Sequence, residues 1–101
     1  MPGLTILVCS DNLLTDLDLS PVPSLTGLDC RQNQLTEIDL SPVPGLTVLH
    51  CRDNLLTDLD LSPVPSLTEL DCLENQITKL DLRRTKRIEN LAADANVRLI
   101  R

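Results

Sequence analysis

No phenylalanine, tyrosine or tryptophan occurs in this chain of 101 residues, and it has a single histidine, a single methionine and three glycines. Without aromatic rings the core has to be assembled from aliphatic layers of similar size, drawn from the 42% of residues that are hydrophobic. One histidine leaves no partner for a two-histidine metal or catalytic set, and three scattered glycines cannot form a phosphate-cradling loop. Long apolar runs are missing as well, so no stretch reaches membrane-spanning length. Met1 is followed by Pro2 and Gly3 rather than by a basic region and an apolar segment, which argues against a signal peptide and for a cytoplasmic chain as written. Up to Leu82 positive charge is scarce: Arg31, Arg52 and Lys79 face thirteen Asp and Glu. An acidic body of this kind repels phosphates, so neither nucleic acid nor a membrane surface is expected as a partner. The balance reverses in the last 19 residues, where Arg83, Arg84, Lys86, Arg87, Arg98 and Arg101 face only Glu89 and Asp94.

What the chain does have is repetition. Residues 4–24 read LTILVCSDNLLTDLDLSPVPS, and the stretches 25–45, 46–66 and 67–87 repeat the pattern every 21 residues without a gap. A fifth unit begins at Ile88 and stops early, so residues 1–101 are expected to form one repeat domain with a partial capping repeat over 88–101. Each unit carries L-x-x-L-x-C-x-x-N-x-L, first as Leu4, Leu7, Cys9, Asn12 and Leu14. A second period is nested inside it, because LTxLxC is echoed ten or eleven residues later by LTxLDL. Alternation in both halves points Leu7 and Cys9 inward, then Leu17 and Leu19. The connector Ser20-Pro21-Val22-Pro23 recurs at 41–44 and 62–65, and its two prolines predict an extended corner with Val22, Val43 and Val64 tucked in.

These residues resemble the leucine-rich-repeat family. The nested form is similar to the bacterial 21-residue class called the IRREKO type and to internalin-type repeats that stack a column of cysteines. The resemblance implies a mainly β fold: a parallel β-solenoid with short strands on both walls, little or no helix and low curvature. It also implies a non-catalytic protein-interaction scaffold whose ligand surface is the outward face of the first strands.

Stacking turns each position into a column about 4.8 Å in pitch. Cys9, Cys30, Cys51 and Cys72 fill a slot that leucine otherwise takes. Their in-register spacing lies outside the roughly 3.5–4.5 Å a disulfide wants, and a straight line of thiols cannot surround a tetrahedral zinc ion. They read as buried, reduced core thiols, with no metal and no cofactor. Asn12, Asn33, Asn54, Asn75 and Asn96 form a second column suited to hydrogen-bonding loop backbone. Asp18, Asp39, Asp60 and Asp81 form a third, which reads as a solvated acidic wall rather than a calcium ladder because no glycine turn lies near. Only the outward positions of the first strand vary from unit to unit. Among them Asp29, Arg31, His50, Arg52, Asp71 and Leu73 are the candidate partner-binding residues. His50 adjoins Cys51, but neighbours on a strand face opposite ways, so no dyad and no enzyme is expected.

The two ends differ. Thr85 stands where the corner valine belongs, RRTKR replaces SPVPS, and the apolar set shifts to Val97, Leu99 and Ile100, so a closing strand is expected after Asn96. The basic loop Arg83–Arg87 is either a cap or a binding site. At the other end Pro2 to Thr5 copy Pro44 to Thr47, as though reading began inside an array. Leu4, Leu7, Leu14 and Leu17, with Cys9 and Leu19, would then leave an apolar layer uncovered. That predicts either the C-terminal fragment of a larger bacterial surface or effector protein, or a structural, self-assembling solenoid that pairs as a homodimer through its N-terminal coil.

Overall fold

The computed structural model describes residues 3–101 as a stack of coils with parallel strands and, among those residues, no helix. Seven strands of three residues each are formed: β1 (Ile6–Val8), β2 (Gly27–Asp29), β3 (Val48–His50), β4 (Glu69–Asp71), β5 (Lys79–Asp81), β6 (Asn90–Ala92) and β7 (Arg98–Ile100). The first wall is one sheet in the order β1-β2-β3-β4-β6, and the second wall holds the pair β5-β7. Register on the first wall advances by 21 residues at every step: Leu7 faces Leu28, Leu28 faces Leu49, Leu49 faces Leu70 and Leu70 faces Leu91. This is the leucine-rich β-solenoid implied by the repeat. The molecule measures 37 × 29 × 18 Å along its principal axes.

Burial follows the columns. Leu25, Leu28, Cys30, Leu35, Ile38 and Leu40 are buried in the second coil, and the same six positions are buried in the third and fourth. Each leucine withdrawn from water in this way contributes on the order of 1.5–3 kcal/mol, so the layers are nearly equivalent in strength. The first coil is an exception. Leu4, Leu7, Cys9, Leu14 and Leu17 are only partly buried, whereas Leu19 is already covered and does not belong to the open layer. The expected likeness of Pro2 to Thr5 with a later unit falls partly on Met1 and Pro2, which lie outside the described residues.

Polar ladders join the first wall between coils. Asn33 Nδ2 donates to the carbonyls of Cys9 and Cys30, while its Oδ1 accepts the Leu14 N–H. Asn54 and Asn75 repeat the arrangement one and two coils on. Asn96 does not join them. It is exposed, and Asp94 takes over by accepting the Glu74 and Asn75 N–H groups. The chain has left the 21-residue register there so that β7 can pair with β5, Arg98 against Lys79. A second ladder, not read in the sequence, is made by threonine: the hydroxyls of Thr26, Thr47 and Thr68 each donate to the carbonyl of the threonine one coil before.

Two local features differ from the sequence reading. The proline corner is not extended but a pair of tight turns, with Val22 N–H donating to Leu19 O and Leu25 N–H to Val22 O. Thr85 keeps this geometry without the prolines, its N–H and hydroxyl both donating to Leu82 O. Second-wall strands are confined to the C-terminal end. In the first three coils the LTxLDL segments form no strand pair. They are joined at their starts, where the Gln34, Leu55 and Gln76 N–H groups donate to the carbonyls of Leu14, Leu35 and Leu56 one coil before, and further along carboxylates take amides. Asp18, Asp39 and Asp60 accept the N–H of Ser20, Ser41 and Ser62, and Asp16 and Asp58 accept those of Leu17 and Leu59. Between the walls, Asp11, Gln32, Asp53 and Glu74 turn the chain with φ between 56° and 60°, the left-handed region, with no glycine in that position.

Candidate partner-binding face

The outward columns of the first wall are brought into register by the pairings β1 to β2, β2 to β3, β3 to β4 and β4 to β6. One runs Ile6, Gly27, Val48, Glu69 and Asn90; the next runs Val8, Asp29, His50, Asp71 and Ala92. Arg31, Arg52 and Leu73 follow just beyond the strands. The six residues singled out in the sequence therefore share one surface, and most of their charge is already matched within it. Arg31 forks onto Asp29 of its own coil, Nε to Oδ1 at 2.8 Å and its terminal nitrogen to Oδ2 at 2.9 Å. Arg52 reaches instead to Asp71 of the next coil, Nε to Oδ2 at 2.9 Å. The difference follows from His50, which occupies the aspartate position of Arg52's own coil. His50 turns to neither flanking aspartate; its Nε2 lies 2.6 Å from Glu69 Oε2.

The pairing shows in the acidities. Partial burial would raise the Asp29 carboxyl, but the hydrogen bonds and charge of Arg31 outweigh it and hold the group below its ordinary value. Arg31 is raised in turn by Asp29. Beneath the face the thiols are held protonated. Burial pushes Cys30 up to about 12 and Cys72 to about 11, and drives the fully enclosed Cys51 well above its ordinary value. All four cysteines are free. Cys51 lies wholly in the core while His50 faces outward, so the two are on opposite sides of the sheet. Among the described residues no three His, Cys, Asp or Glu side chains are grouped to hold a metal ion. No helix among them is long and apolar enough to cross a membrane.

Sequence reasoning missed the apolar half of this surface. Ile6 and Val8 are 58% and 64% exposed. Gly27 leaves a gap between Ile6 and Val48, into which Ile6 leans until its Cδ1 would sit 2.9 Å from a Cβ placed on Gly27. The result is a shallow, mainly apolar dent of about 250 Å³ that includes Leu28, Thr26 and Thr47 in its walls. Towards the C-terminal end the same wall turns acidic, with Glu69, Asp71 and Glu89 around a groove floored by Leu70 and Leu91. The missing signal was in plain view: charge is absent from the first column until Glu69.

Residues 44–84 match the family model described as Leucine Rich repeats (2 copies). The fold and columns agree with a solved structure, the functional domain of InlJ from Listeria monocytogenes, described as including a cysteine ladder. The likeness has a TM-score of 0.87 at 39% identity and covers 92% of this chain. This is a leucine-rich-repeat chain. It spans 21% of the internalin domain to which it is similar. More distant likeness extends to the leucine-rich-repeat domain of APL1B, with a TM-score of 0.54, 22% identity and coverage of 97% of this chain and 44% of that one. It extends also to the LRIM1/APL1C complex, with a TM-score of 0.53, 24% identity and coverage of 91% and 26%. At those identities the leucine-rich-repeat chain shares the fold with them and nothing finer. A comparison with curated protein sequences returns no match.

Proposed function

We propose that this leucine-rich-repeat chain is a non-catalytic protein-interaction scaffold and that the first wall is its binding face. The observation that carries the reading is the adjacency of two exposed apolar side chains, Ile6 and Val8, to the Gly27 dent on the wall whose outward residues change from coil to coil. A solvated wall has no need of them, whereas the centre of a protein interface does. The paired Arg31 and Arg52 beside the dent are held in fixed orientations by their aspartates, which lowers the entropy lost when a partner arrives. Asp29, Arg31, His50, Arg52, Asp71 and Leu73 form the polar part of the face in this reading. Its test is a comparison of walls: Ile6→Glu with Val48→Glu on the first, Thr36→Glu with Thr57→Glu on the second, each measured for retention of crosslinked partners and for melting temperature. Loss confined to the first pair, at unchanged melting temperature, supports the reading. Equal loss from both pairs, or from neither, removes it.

A second reading is favoured by the first coil. Leu4, Leu7, Leu14 and Leu17 are partly exposed, while their counterparts Leu25, Leu28, Leu35 and Ile38 are buried. A second copy seated there N-end to N-end would cover them and close as a two-fold dimer. Light scattering over a concentration series distinguishes this from a monomer, and Leu7→Glu should abolish any dimer so formed.

A further inference from the structure

The corner that joins the second wall to the first is chemically uniform for three coils and then changes sign. Its outward positions are Ser20, Pro21, Pro23 and Ser24 in the first coil, all exposed, and the same types, with one glycine, exposed or half-buried in the next two. In the fourth coil they become Arg83, Arg84, Lys86 and Arg87, all four exposed. The backbone beneath does not change. Thr85 is 2% exposed in the valine slot, and the two tight turns persist, Thr85 N–H to Leu82 O at 3.1 Å and Ile88 N–H to Thr85 O at 3.3 Å. Thus the cations do not serve the turn, which serine and proline make equally well three times over and with less mutual repulsion.

Nor are they consumed internally. Arg83 is held by Asp81, with its terminal nitrogen 2.8 Å from Oδ2, and together with Arg84 it draws the Asp81 carboxyl down to about 2. Among the described residues, no ion pair or side-chain hydrogen bond holds Arg84, Lys86 or Arg87, within a turn only four residues long. The turn therefore presents Arg84, Lys86 and Arg87 without a side-chain hydrogen bond or ion pair among the described residues, with Arg101 beside Arg83 and Lys86, at one corner of a molecule that is otherwise predominantly acidic.

The size of the patch selects the ligand. A polyanion that extends beyond the corner, such as a nucleic acid duplex or a flat anionic membrane, meets the aspartates of the second wall and the glutamates of the first. A ligand with a few negative charges over about four residues meets only the cations. We infer that the corner Arg84–Arg87 is a second interaction site, separate from the first-wall face, that takes a short acidic segment of a polypeptide.

The experiment uses the full chain and a dye-labelled hexaglutamate peptide, followed by fluorescence anisotropy, with a hexaglutamine peptide as the neutral control. The repeat itself supplies the variant: Arg83→Ser, Arg84→Pro, Lys86→Pro and Arg87→Ser together restore the corner that the first three coils already fold. Saturable binding is expected that weakens as salt rises past the point where the screening length falls to about 8 Å. It should weaken by about tenfold or more in the restored-corner variant at unchanged first-wall binding. If that variant unfolds, Lys86→Gln with Arg87→Gln leaves the turn untouched and carries the same expectation. Binding that is equal in the parent and the variants, or absent from the parent, overturns the inference. Stronger retention on anionic phospholipid vesicles or on inorganic phosphate than on hexaglutamate overturns it as well, in favour of a phosphate ligand.

Discussion

The two walls of the solenoid carry nested versions of one pattern, LTxLxC and LTxLDL, yet only the first is laddered from end to end. The same inward leucines are buried on both, so burial does not explain the difference. The polar residues around them do. On the first wall asparagine and threonine side chains reach to the neighbouring coil, Asn54 to Cys30 and Leu35, Thr47 to Thr26, and bind coil to coil. On the second wall the aspartates turn back on their own coil and cap amides two residues away. Local capping does not by itself exclude a sheet, since Asp29, Asp71 and Asp81 take the amide two residues on in the same way within laddered strands; what the first wall adds is side-chain bonding from coil to coil. The wall with inter-coil polar bonds is the structural spine, and the other is held chiefly by its leucines.

The sharpest way to break this comparison is to remove one rung. Asn54→Ala strips the Cys30 and Cys51 carbonyls and the Leu35 N–H of their partner in a buried setting. It should destabilise by about 3 kcal/mol in urea unfolding, each unsatisfied group costing roughly 1–3 kcal/mol. The second-wall counterpart Asp60→Ala, fully exposed, should leave the unfolding midpoint nearly in place. Similar losses from the two would end the distinction between spine and skin.

Next in size is the core thiol column. Cys51→Ser should cost about 1–3 kcal/mol, because a hydroxyl has no assured partner there. In the parent, a thiol reagent should reach the partly exposed Cys9 first and the other three only on unfolding. Fast native labelling of all four would contradict the enclosure of the column.

The pH profile sharpens the comparison further, since each wall sets one limit. Cys30 and Cys72 titrate at about 12 and about 11 in the folded chain against 9.0 when unfolded. Between those values the unfolded chain has released protons that the native chain retains, so stability is full below pH 9 and falls as pH rises above it. The aspartates act in the opposite sense. Asp18, Asp39 and Asp60 lie below 3.8 because serine donors stabilise the charged form. Their contribution is present above pH 3.8 and is lost as pH falls through the lowered values. Thermal unfolding from pH 2 to 11 should show a plateau bounded on both sides, and Cys51→Ala should soften only the alkaline edge.

The smallest effect is expected on the polar face. Arg31→Gln with Arg52→Gln breaks two partly exposed ion pairs and should cost less than about 1 kcal/mol in sum, a fall in melting temperature of no more than about 4–8 °C. A larger change would mean that these pairs hold the first wall together rather than present it.

Much of this was legible because a repeat writes each interior column several times over. The slot of Cys30, Cys51 and Cys72, the inward valines and the substitution of Thr85 all follow from alternation and period alone. Hydrogen-bond direction does not. LTxLDL alternates as a strand should, and nothing in its hydrophobic pattern says that Asp39 will bond Ser41 rather than a neighbouring coil. Asn96 was misplaced for a related reason. It stands at the correct period, but the two-residue shift that pairs Leu99 with Leu80 has already begun. On the candidate face the columns were read correctly, whereas the partner of each arginine was not, because Arg31 and Arg52 choose between coils according to which coil offers an aspartate. The apolar dent at Gly27 was hidden by its own chemistry: a missing side chain matters only through the neighbours that stand around it.

The left-handed residues Asp11, Gln32, Asp53 and Glu74 add a consequence of scale. A non-glycine residue held in that conformation costs roughly 1 kcal/mol, and the repeat copies the cost once per coil along with the leucines that offset it. Adding coils therefore raises the expense and the gain in fixed proportion, so an array of any length keeps the same margin per coil. Within that fixed ratio, Gln32 and Glu74 are the costlier copies, since aspartate tolerates the conformation better than a longer side chain does.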